Sequence, residues 1–473
     1  MLPSAAELVA RFLRASGYAE TLASFIQEAG LSPDAGVTAG SDVTIEQLLQ
    51  EKRTFDMSLN FEKMGINDAR YGWKTPAPSQ PTVLSTLPTK SNILSVHLPS
   101  LVLSACDQPQ SCIAVTTADR RLNLINPVEP SLPLIRSYPN FLDSPILDLV
   151  VINSQYILAG SMSGKLLFYD MTTDTVLDER KDHAKYLVKL ASWSDGLSTL
   201  IATAGWDSKV VLYMVSLTDN PNPKLGEPIG TITLPSIPET IVFIQSPDTS
   251  EPLLLLTRRD STYLYYYSLP SPGTDPVITL IGKQNLTPHS ISWTAWSPSD
   301  VQLCPSDQSL AAVATSSTPH MRVVIVRLLI PPKNPRTSAT APSDNSEHAS
   351  IPVGSEDDLG SRNTVTQSSQ ERANLLLQDR EEAAILINMN TMAPQTAYST
   401  PKLVWRPDGS GLYVSSDDGI IRGFEKTTGK LMTSLQAHEP GTKLRCLWVG
   451  RIEDEECLIS GGFDQRLILW KSQ

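Results

Sequence analysis

A short turn-and-strand phrase recurs along this chain and constrains its fold more than any other feature. The clearest copy is residues 461–470, Gly-Gly-Phe-Asp-Gln-Arg-Leu-Ile-Leu-Trp. The glycines permit a tight bend, Asp464 can hydrogen-bond to its own backbone, and the apolar residues that follow predict a half-buried strand. An apolar residue stands three places after the aspartate, and a large apolar or aromatic residue stands six places after it. Whole or partial copies are centred on Asp119, Ser163, Asp207, Asp260, His320, Asp418 and Asp464.

The spacing of these seven copies predicts the architecture. They are separated by 44, 44, 53, 60, 98 and 46 residues. A period of roughly 40 to 45 residues with four strands per repeat is typical of a β-propeller. We therefore predict a mainly β fold, with a seven-bladed propeller over residues 82–473 preceded by a small helical hairpin. The last blade is short of one strand, so we expect Thr82 to Leu87 to complete it and remove the free edge.

Two of the copies resemble a known repeat family. Trp206-Asp207 and Phe463-Asp464 are similar to the Trp-Asp dipeptide of WD repeats, and the resemblance extends over roughly residues 80–473. It implies a buried hydrogen-bond network in each of these two blades, formed by a histidine, a serine or threonine, the turn aspartate and an aromatic residue. The implied sets are His183, Thr203, Asp207 and Tyr213 in one blade, and His438, Ser460, Asp464 and Trp470 in the other.

The N-terminal residues predict the helical hairpin. Ser4-Ala5-Ala6-Glu7 has the form of a capping box, and Gly17 and Gly30 are placed to end two helices of about three turns. Each helix carries an apolar stripe, and two such short helices cannot bury both stripes against each other alone. A partner surface is therefore expected. The stripe residues assigned to it are Leu8, Phe12, Leu13, Tyr18, Leu22, Phe25 and Ile26.

The hairpin also resembles the lissencephaly-type homology (LisH) motif. The residues that match it in order and spacing are Phe12-Leu13, Gly17-Tyr18, Thr21, Phe25 and Glu28. This resemblance implies a dimerisation hairpin over residues 1–31. The alternative is a generic amphipathic hairpin that packs on the propeller of its own chain.

Three further segments are assigned from their local patterns. Residues 43–66 are predicted to form an additional amphipathic helix, which begins at a capping box from Thr44. Residues 75–81 contain three prolines and are interpreted as a linker. Residues 331–372 are rich in small polar residues and poor in large apolar ones, which predicts a disordered insertion in the fifth blade.

Composition and motifs narrow the classes of function. The formal net charge of −12 disfavours nucleic acid or an anionic membrane as the main partner. No apolar run approaches the roughly 20 residues that cross a bilayer. The five cysteines include no Cys-x-x-Cys pair, which favours reduced thiols in a cytoplasmic or nuclear protein. No phosphate-binding loop, nucleophile elbow or His/Cys cluster occurs, so we predict no cofactor, no metal site and no catalytic residue.

Residues beside the turn aspartates are the candidates for partner contact. Exposed aromatic residues are favoured because such anchors dominate interface energetics. Arginine pairs could meet an acidic partner, although such pairs often lie solvated at a rim. The candidates are Arg120, Arg121, Trp206, Arg258, Arg259 and Phe463.

Together these features predict a non-catalytic protein-interaction scaffold. The hairpin is expected to form a homodimer, and the propeller to bind other proteins or peptides. The resemblances imply a subunit of a ubiquitin-ligase or transcriptional corepressor complex, or alternatively a dynein or microtubule regulator. A propeller enzyme would need polar residues at the inner-strand starts of several blades, and a modified-peptide reader would need a charged pocket on one face. Both are kept as alternatives.

Overall fold

Seven four-stranded antiparallel sheets and one separate two-stranded sheet contain all the strands among the residues that the structure describes. The computed structural model describes residues 5–37, 45, 72–104, 106–128, 131–196, 198–216, 223–270, 278–288, 296–331 and 375–472. By its internal contacts the chain divides into one unit at Met1–Tyr71 and a second at Gly72–Gln473. The predicted fold class, a helical hairpin ahead of a seven-bladed β-propeller, is confirmed.

The N-terminal unit contains a helical hairpin made of α1 (Ala5–Ala15) and α2 (Ala19–Glu28). Gly17 follows α1 with a φ of 78°, a left-handed conformation that glycine adopts without strain. The backbone N–H of Tyr18 then donates to the carbonyl oxygen of Leu13 at 3.0 Å. This bond satisfies a helix-end carbonyl that would otherwise lack a partner, and it fixes the turn between the two helices.

The residues after α2 fold back onto α1. Gly36 packs so closely that a Cβ on it would lie 2.6 Å from the backbone carbonyl carbon of Ala10. The Arg14 guanidinium donates a hydrogen bond to the carbonyl oxygen of Ala35 at 3.0 Å. Even with this loop, Ala10 and Leu22 are the only buried apolar side chains among those described in this unit. The hairpin therefore has a very small core of its own.

Two predicted segments fall almost entirely outside the described residues. Only Ile45 of the predicted helix at residues 43–66 is described, and only Pro331 of the predicted insertion at residues 331–372. Ser4, the first residue of the predicted capping box, also lies outside them. Within the described ranges, none of the helices combines the length and the hydropathy that a bilayer span requires.

The first strand of the chain, β1 (Gln80–Val83), belongs to the last blade. Blade 1 contains β2 (Ile93–His97), β5 (Ile113–Thr117), β6 (Arg121–Ile125) and β7 (Leu134–Tyr138), with a separate hairpin of β3 (Ser100–Leu103) and β4 (Cys106–Ser111) inserted after β2. Blade 2 contains β8 (Ile146–Ile152), β9 (Tyr156–Ser161), β10 (Leu166–Asp170) and β11 (Thr175–Arg180). Blade 3 contains β12 (Leu187–Ser194), β13 (Ser198–Gly205), β14 (Lys209–Ser216) and β15 (Gly230–Thr233).

The remaining four blades repeat this order. Blade 4 contains β16 (Pro238–Gln245), β17 (Pro252–Arg258), β18 (Tyr263–Ser268) and β19 (Thr279–Asn285). Blade 5 contains β20 (Pro298–Cys304), β21 (Asp307–Thr315), β22 (His320–Arg327) and β23 (Ile385–Pro394), with residues 375–384 helical ahead of β23. Blade 6 contains β24 (Leu403–Trp405), β25 (Gly411–Val414), β26 (Ile420–Glu425) and β27 (Leu431–Gln436). Blade 7 contains β28 (Leu444–Ile452), β29 (Glu455–Gly462), β30 (Leu467–Lys471) and β1.

The N-terminal strand β1 closes the ring by pairing antiparallel with β30. It starts two residues before the predicted range, Thr82 to Leu87, and takes in the end of the predicted linker at residues 75–81. In the sequence, Pro81 favoured the interpretation of this segment as a linker. The outermost strand of a sheet, however, tolerates a residue that has no backbone N–H. After Val83 the chain turns inward, and Leu84 is buried between blades 7 and 1.

The cores of the propeller lie between its blades. The buried apolar side chains form seven clusters, and each cluster combines residues of two neighbouring blades. One of them joins blade 7 to blade 1, with Ile459 and Leu469 on one side and Ile93 and Ile113 on the other. Seven interfaces for seven blades define a closed ring, so no blade exposes an apolar face at the end of the array.

The recurrent turn places one residue in the left-handed region in most blades. Arg120, Ser208 and Gln465 have φ values of 65°, 62° and 64°, and each directly follows its turn aspartate. Asp260 was aligned with those aspartates in the sequence, but it carries the positive φ itself, at 60°. The repeat in blade 4 is therefore offset by one residue, and Arg259 occupies the place of the aspartate.

Candidate functional site

The apolar stripe of the hairpin is only partly covered. The side chains of Phe12 and Tyr18 are 37% and 55% exposed, and their ring centroids lie 6.5 Å apart. Leu22 is buried. The other stripe residues are half-buried, namely Leu8, Leu13, Phe25 and Ile26. Two aromatic rings of the stripe are thus left in contact with solvent.

The structure brings together the four residues implied for the network of blade 7. His438 Nδ1 lies 2.9 Å from Asp464 Oδ2, and His438 Nε2 lies 2.8 Å from Ser460 Oγ. Trp470 Nε1–H donates to the same Ser460 Oγ at 2.9 Å. The backbone N–H of Glu439 donates to Asp464 at 3.1 Å. The four side chains therefore form one continuous hydrogen-bonded chain that connects the turn to two strands.

The corresponding network of blade 3 contains only three of its four residues. His183 Nδ1 lies 2.9 Å from Asp207 Oδ1, and His183 Nε2 lies 2.8 Å from Thr203 Oγ1. The Tyr213 hydroxyl, however, donates at 2.7 Å to Asp182. A tyrosine hydroxyl extends further from the backbone than an indole N–H, so it reaches past the threonine to the residue before the histidine.

Both histidine–aspartate pairs are buried. The side chains of His183 and His438 are fully shielded from solvent. Burial lowers the pKa of His438, because the cost of burying the charged form exceeds the attraction of Asp464. Burial would raise the pKa of Asp207, but the hydrogen bonds from His183 and from a backbone N–H lower it overall. The polar groups of both pairs are hydrogen-bonded within their own blades.

Two of the predicted contact residues meet on the turns of blades 3 and 4. The Arg259 guanidinium lies over the Trp206 ring, 5.1 Å from its centroid, and forms an ion pair with Glu239 at 2.7 Å. The ring of Tyr186 packs against Trp206 at 4.4 Å between centroids. We name Tyr186, Trp206, Glu239 and Arg259 the aromatic–arginine cluster. It joins two neighbouring blades at the loops that carry the turn residues.

The other predicted contact residues are dispersed over three blades. Arg121 is held by an ion pair with Asp119 at 3.0 Å, and Arg258 lies over the Tyr265 ring at 5.0 Å. Arg120 is exposed, and so is Phe463, at 47% of its side chain. The two paired arginines belong to their own blades. Arg120 donates a long hydrogen bond to the carbonyl oxygen of Asp143 at 3.4 Å, and Phe463 keeps the most exposed ring at these turns.

A ring of charged side chains that the sequence did not reveal surrounds the propeller axis. Asp148 on β8 accepts a hydrogen bond from the Leu190 backbone N–H at 2.9 Å, and Lys189 Nζ lies 3.3 Å from the same carboxylate. The inner strands of blades 2 and 3 are linked by these contacts. His97 Nε2 approaches the other carboxylate oxygen at 3.3 Å from blade 1.

Blades 5 and 6 repeat the same arrangement. Asp300 on β20 accepts a hydrogen bond from the Leu403 backbone N–H at 3.2 Å, and Lys402 Nζ lies 3.6 Å from its carboxylate. In both places the aspartate of one blade therefore meets the backbone and the lysine of the next blade. Asp148, Lys189 and Asp300 are each the third residue of their inner strand, and Lys402 directly precedes the inner strand β24.

These charges face an axial cavity of about 90 Å³. Burial would raise the pKa of Asp148, but Lys189 and His97 outweigh burial and hold this pKa far below its usual range. Burial lowers the pKa of Lys402, and the nearby charges of Lys189 and Arg445 lower it further. These side chains come from separate inner strands, and the closure of the ring brings them together at the axis.

A second cavity lies at the side of the propeller, between blades 3 and 4. Its volume is about 220 Å³, and its wall is largely apolar. The larger apolar residues that line it are Trp193, Leu200, Met214, Leu253, Ile281 and Pro331. No motif in the sequence indicated this cavity, because its residues come from separate strands and turns.

The fold and these surfaces define a class of protein in which a LisH hairpin precedes a β-propeller. Two family models match the chain, one described as UCP007778, LisH domain, over residues 6–33, and the other as UCP007778, beta-propeller domain, over residues 88–471. The chain therefore belongs to the UCP007778 family. A comparison with curated proteins finds no match. The LisH resemblance is confirmed, whereas the resemblance to WD repeats stays a prediction.

Proposed function

We propose that this chain is a non-catalytic scaffold that forms a homodimer through its LisH hairpin and binds partner proteins or peptides on its propeller. LisH hairpins and β-propellers are, in general, protein-interaction modules, which supports the coarse assignment. A dimer would hold two propellers in one assembly, so a partner with two binding segments would gain effective concentration without any new contact.

The exposure of Phe12 and Tyr18 is the observation that supports the proposed dimer. These two rings remain in solvent in a hairpin that buries only Ala10 and Leu22 among its described side chains. Covering a large apolar side chain contributes about 1.5–3 kcal/mol. A second hairpin presents the same stripe, so an isologous contact would cover both stripes at once.

The propeller offers an anchor for a partner at the aromatic–arginine cluster. Trp206 and Arg259 are residue types that dominate interface energetics, and they already pack against each other before a partner binds. This order reduces the entropy that binding costs. Trp206 is half-buried, and Phe463, at the equivalent turn of blade 7, supplies a ring that is exposed.

A ubiquitin-ligase or corepressor complex is the assembly that we propose, with a dynein or microtubule regulator as the alternative. We place the protein in the cytoplasm, the nucleus or both. The buried free thiols of Cys112, Cys304, Cys446 and Cys457 support a reducing compartment.

Light scattering coupled to size-exclusion chromatography tests the dimer on the full chain. Wild type is expected at twice the chain mass of 51.6 kDa, and Phe12→Asp/Phe25→Asp at the mass of one chain. Gln27→Asp, which places the same charge on an exposed position of α2, is the control and should stay dimeric. A monomeric wild type, or a double variant that stays dimeric, would contradict the proposal.

Comparative affinity purification separates the two halves of the proposal. Partners that bind the propeller should be lost with Trp206→Ser but recovered, at reduced yield, with Phe12→Asp/Phe25→Asp. Met162→Ser, at the equivalent exposed position of the blade 2 turn, is the control for general damage to the propeller. If Trp206→Ser keeps every partner, the aromatic–arginine cluster is not the anchor.

A further inference from the structure

The axial cavity holds more positive than negative charge. Among the side chains that line it, Asp148 and Asp300 are the two carboxylates, while Lys189, Lys402 and Arg445 are the lysine and arginine side chains. Each aspartate has one lysine as its near partner, at 3.3 and 3.6 Å. One cation is therefore left over, and it is Arg445.

Within the described part of the chain, no hydrogen bond or ion pair joins the side chain of Arg445 to another residue. It lies at the start of β28, in blade 7, between Leu444 and Cys446. Burial raises the pKa of the Cys446 thiol to about 12, so this neighbour stays neutral and cannot balance the guanidinium.

The surroundings of Arg445 also disfavour its charge. Burial lowers its pKa from the usual value, in spite of the attraction of Asp148. A charge that is taken out of water without a partner costs free energy that a counter-charge recovers. The side chain is only partly buried, so the cavity is accessible to a solute.

We propose that the axial cavity binds an oxyanion, a phosphate or carboxylate group, with Arg445 as its principal partner. The guanidinium presents a planar fork of N–H donors that matches two oxygens of such a group. Lys402 faces the same cavity and supplies the second positive charge. A cavity of about 90 Å³ has room for one such group.

Two sources can present this chemistry, and the experiment separates them. One is free inorganic phosphate. The other is the side-chain carboxylate of an aspartate in a docked protein, for which N-acetyl-aspartate amide is the probe. Binding of phosphate alone assigns a small-ion site, and binding of the aspartate derivative assigns a pocket for an acidic residue of a partner. This inference does not depend on the proposed dimer, because it concerns the propeller alone.

Titration calorimetry and thermal unfolding of the full chain test the site. Phosphate and N-acetyl-aspartate amide are compared with chloride at equal ionic strength. Wild type should bind at least one probe and gain in unfolding temperature with it. Arg445→Met should lose on the order of tenfold or more in affinity, as expected for a charge-assisted pair of hydrogen bonds. In chloride it should unfold at a temperature no lower than wild type, since its removed charge has no counter-ion.

Matched variants keep the result interpretable. Arg451→Met changes an exposed arginine of the same strand and should bind like wild type. Arg445→Lys keeps the positive charge but lacks the planar fork of N–H donors, so its affinity for the probe should fall between those of wild type and Arg445→Met. If Arg445→Met does not fold, Arg445→Lys replaces it as the test. Equal binding by wild type and the Arg445 variants, or no binding of either probe by wild type, would overturn the proposal.

Discussion

Arg406 and Glu456 form a bidentate ion pair that joins blade 6 to blade 7. Arg406 Nε lies 2.9 Å from Glu456 Oε1, and Nη2 lies 2.6 Å from Oε2. The guanidinium also donates to Thr75 Oγ1 at 2.7 Å and lies over the Trp73 ring at 4.3 Å. The segment ahead of β1 is therefore not a free linker, since one buried arginine ties it to the two blades beside the ring closure.

Arg406→Met is expected to destabilise the propeller by about 3 to 5 kcal/mol, because it leaves Glu456 without its partner in a buried place. Denaturant unfolding of the full chain measures the effect. Arg466→Met, which breaks an exposed pair with Glu439, is the control and should change the free energy of unfolding by no more than about 1 kcal/mol. Similar changes in the free energy of unfolding for the two variants would show that Arg406 does not stabilise the closure of the propeller ring.

Gly423→Ala is expected to cost about 1 to 3 kcal/mol, because a Cβ there would lie 2.4 Å from the Trp73 ring. The indole of Trp73 should be displaced from Tyr413. In the wild type the centroids of these two rings lie 5.3 Å apart. Limited proteolysis at residues 72–79 should then become faster than in wild type. Combining the change with Trp73→Ala should cost less than the sum of the two single changes, and strict additivity would contradict the proposed clash.

Ser460→Ala is expected to destabilise more than Thr203→Val. Ser460 Oγ is hydrogen-bonded to both His438 and Trp470. Thr203 Oγ1 is hydrogen-bonded to His183, while the hydroxyl of Tyr213 donates to Asp182 instead. Each buried polar group that loses its partner costs about 1 to 3 kcal/mol. Ser460→Ala leaves two buried side chains without this partner, whereas Thr203→Val leaves one side chain, His183, without its partner and removes a single weaker bond, at 3.3 Å, to the carbonyl oxygen of Val211. Unfolding free energies measured at pH 7.5 check the order, and a larger loss for Thr203→Val would refute it.

Stability should fall on mild acidification because of His438. Its pKa is lowered in the folded protein, so below about pH 6.5 the unfolded chain binds the proton more readily. The contribution is complete above that pH and is lost toward lower pH, at up to about 1.4 kcal/mol per pH unit. Unfolding free energies at pH 7.5 and 5.5 test this. The free energy of unfolding of His438→Asn should depend less on pH than that of wild type. An unchanged pH dependence would assign the effect to other titratable groups.

The period of the repeats predicts the propeller. The sequence is a poorer guide to features that depend on a single residue or on a shift in strand register. Thr82 to Leu87 is a reasonable strand by composition, yet the ladder forms two residues earlier because an edge position accepts Pro81. Asp260 matches the turn phrase, but the bend in blade 4 is shifted by one residue. Arg406 stands in no motif, and its role depends on a segment more than 300 residues away in the chain.

The axial charges were missed for a different reason. Asp148 and Lys189 stand in inner strands that otherwise look apolar, so each resembles an isolated interruption of a buried run. Their equivalence depends on a register shift at the start of each strand, which no local pattern displays. In retrospect the signal is the repetition of a charged residue two places after the first apolar residue of an inner strand.

The pairing across blades 2 and 3 provides the last prediction, a double-mutant cycle. Asp148→Asn should cost on the order of 2 kcal/mol or more, because it leaves the lysine of the next blade, 3.3 Å away, without its counter-charge. Adding Lys189→Met should recover part of this loss, since the surplus charge is then removed as well. We expect a coupling energy of about 1 to 3 kcal/mol. The same cycle on Asp148 and the distant Arg451 is the control and should show none, because these residues share no contact. A coupling energy near zero for Asp148 and Lys189 would mean that water screens the axis, and that the ring of charges adds nothing to the association of the blades.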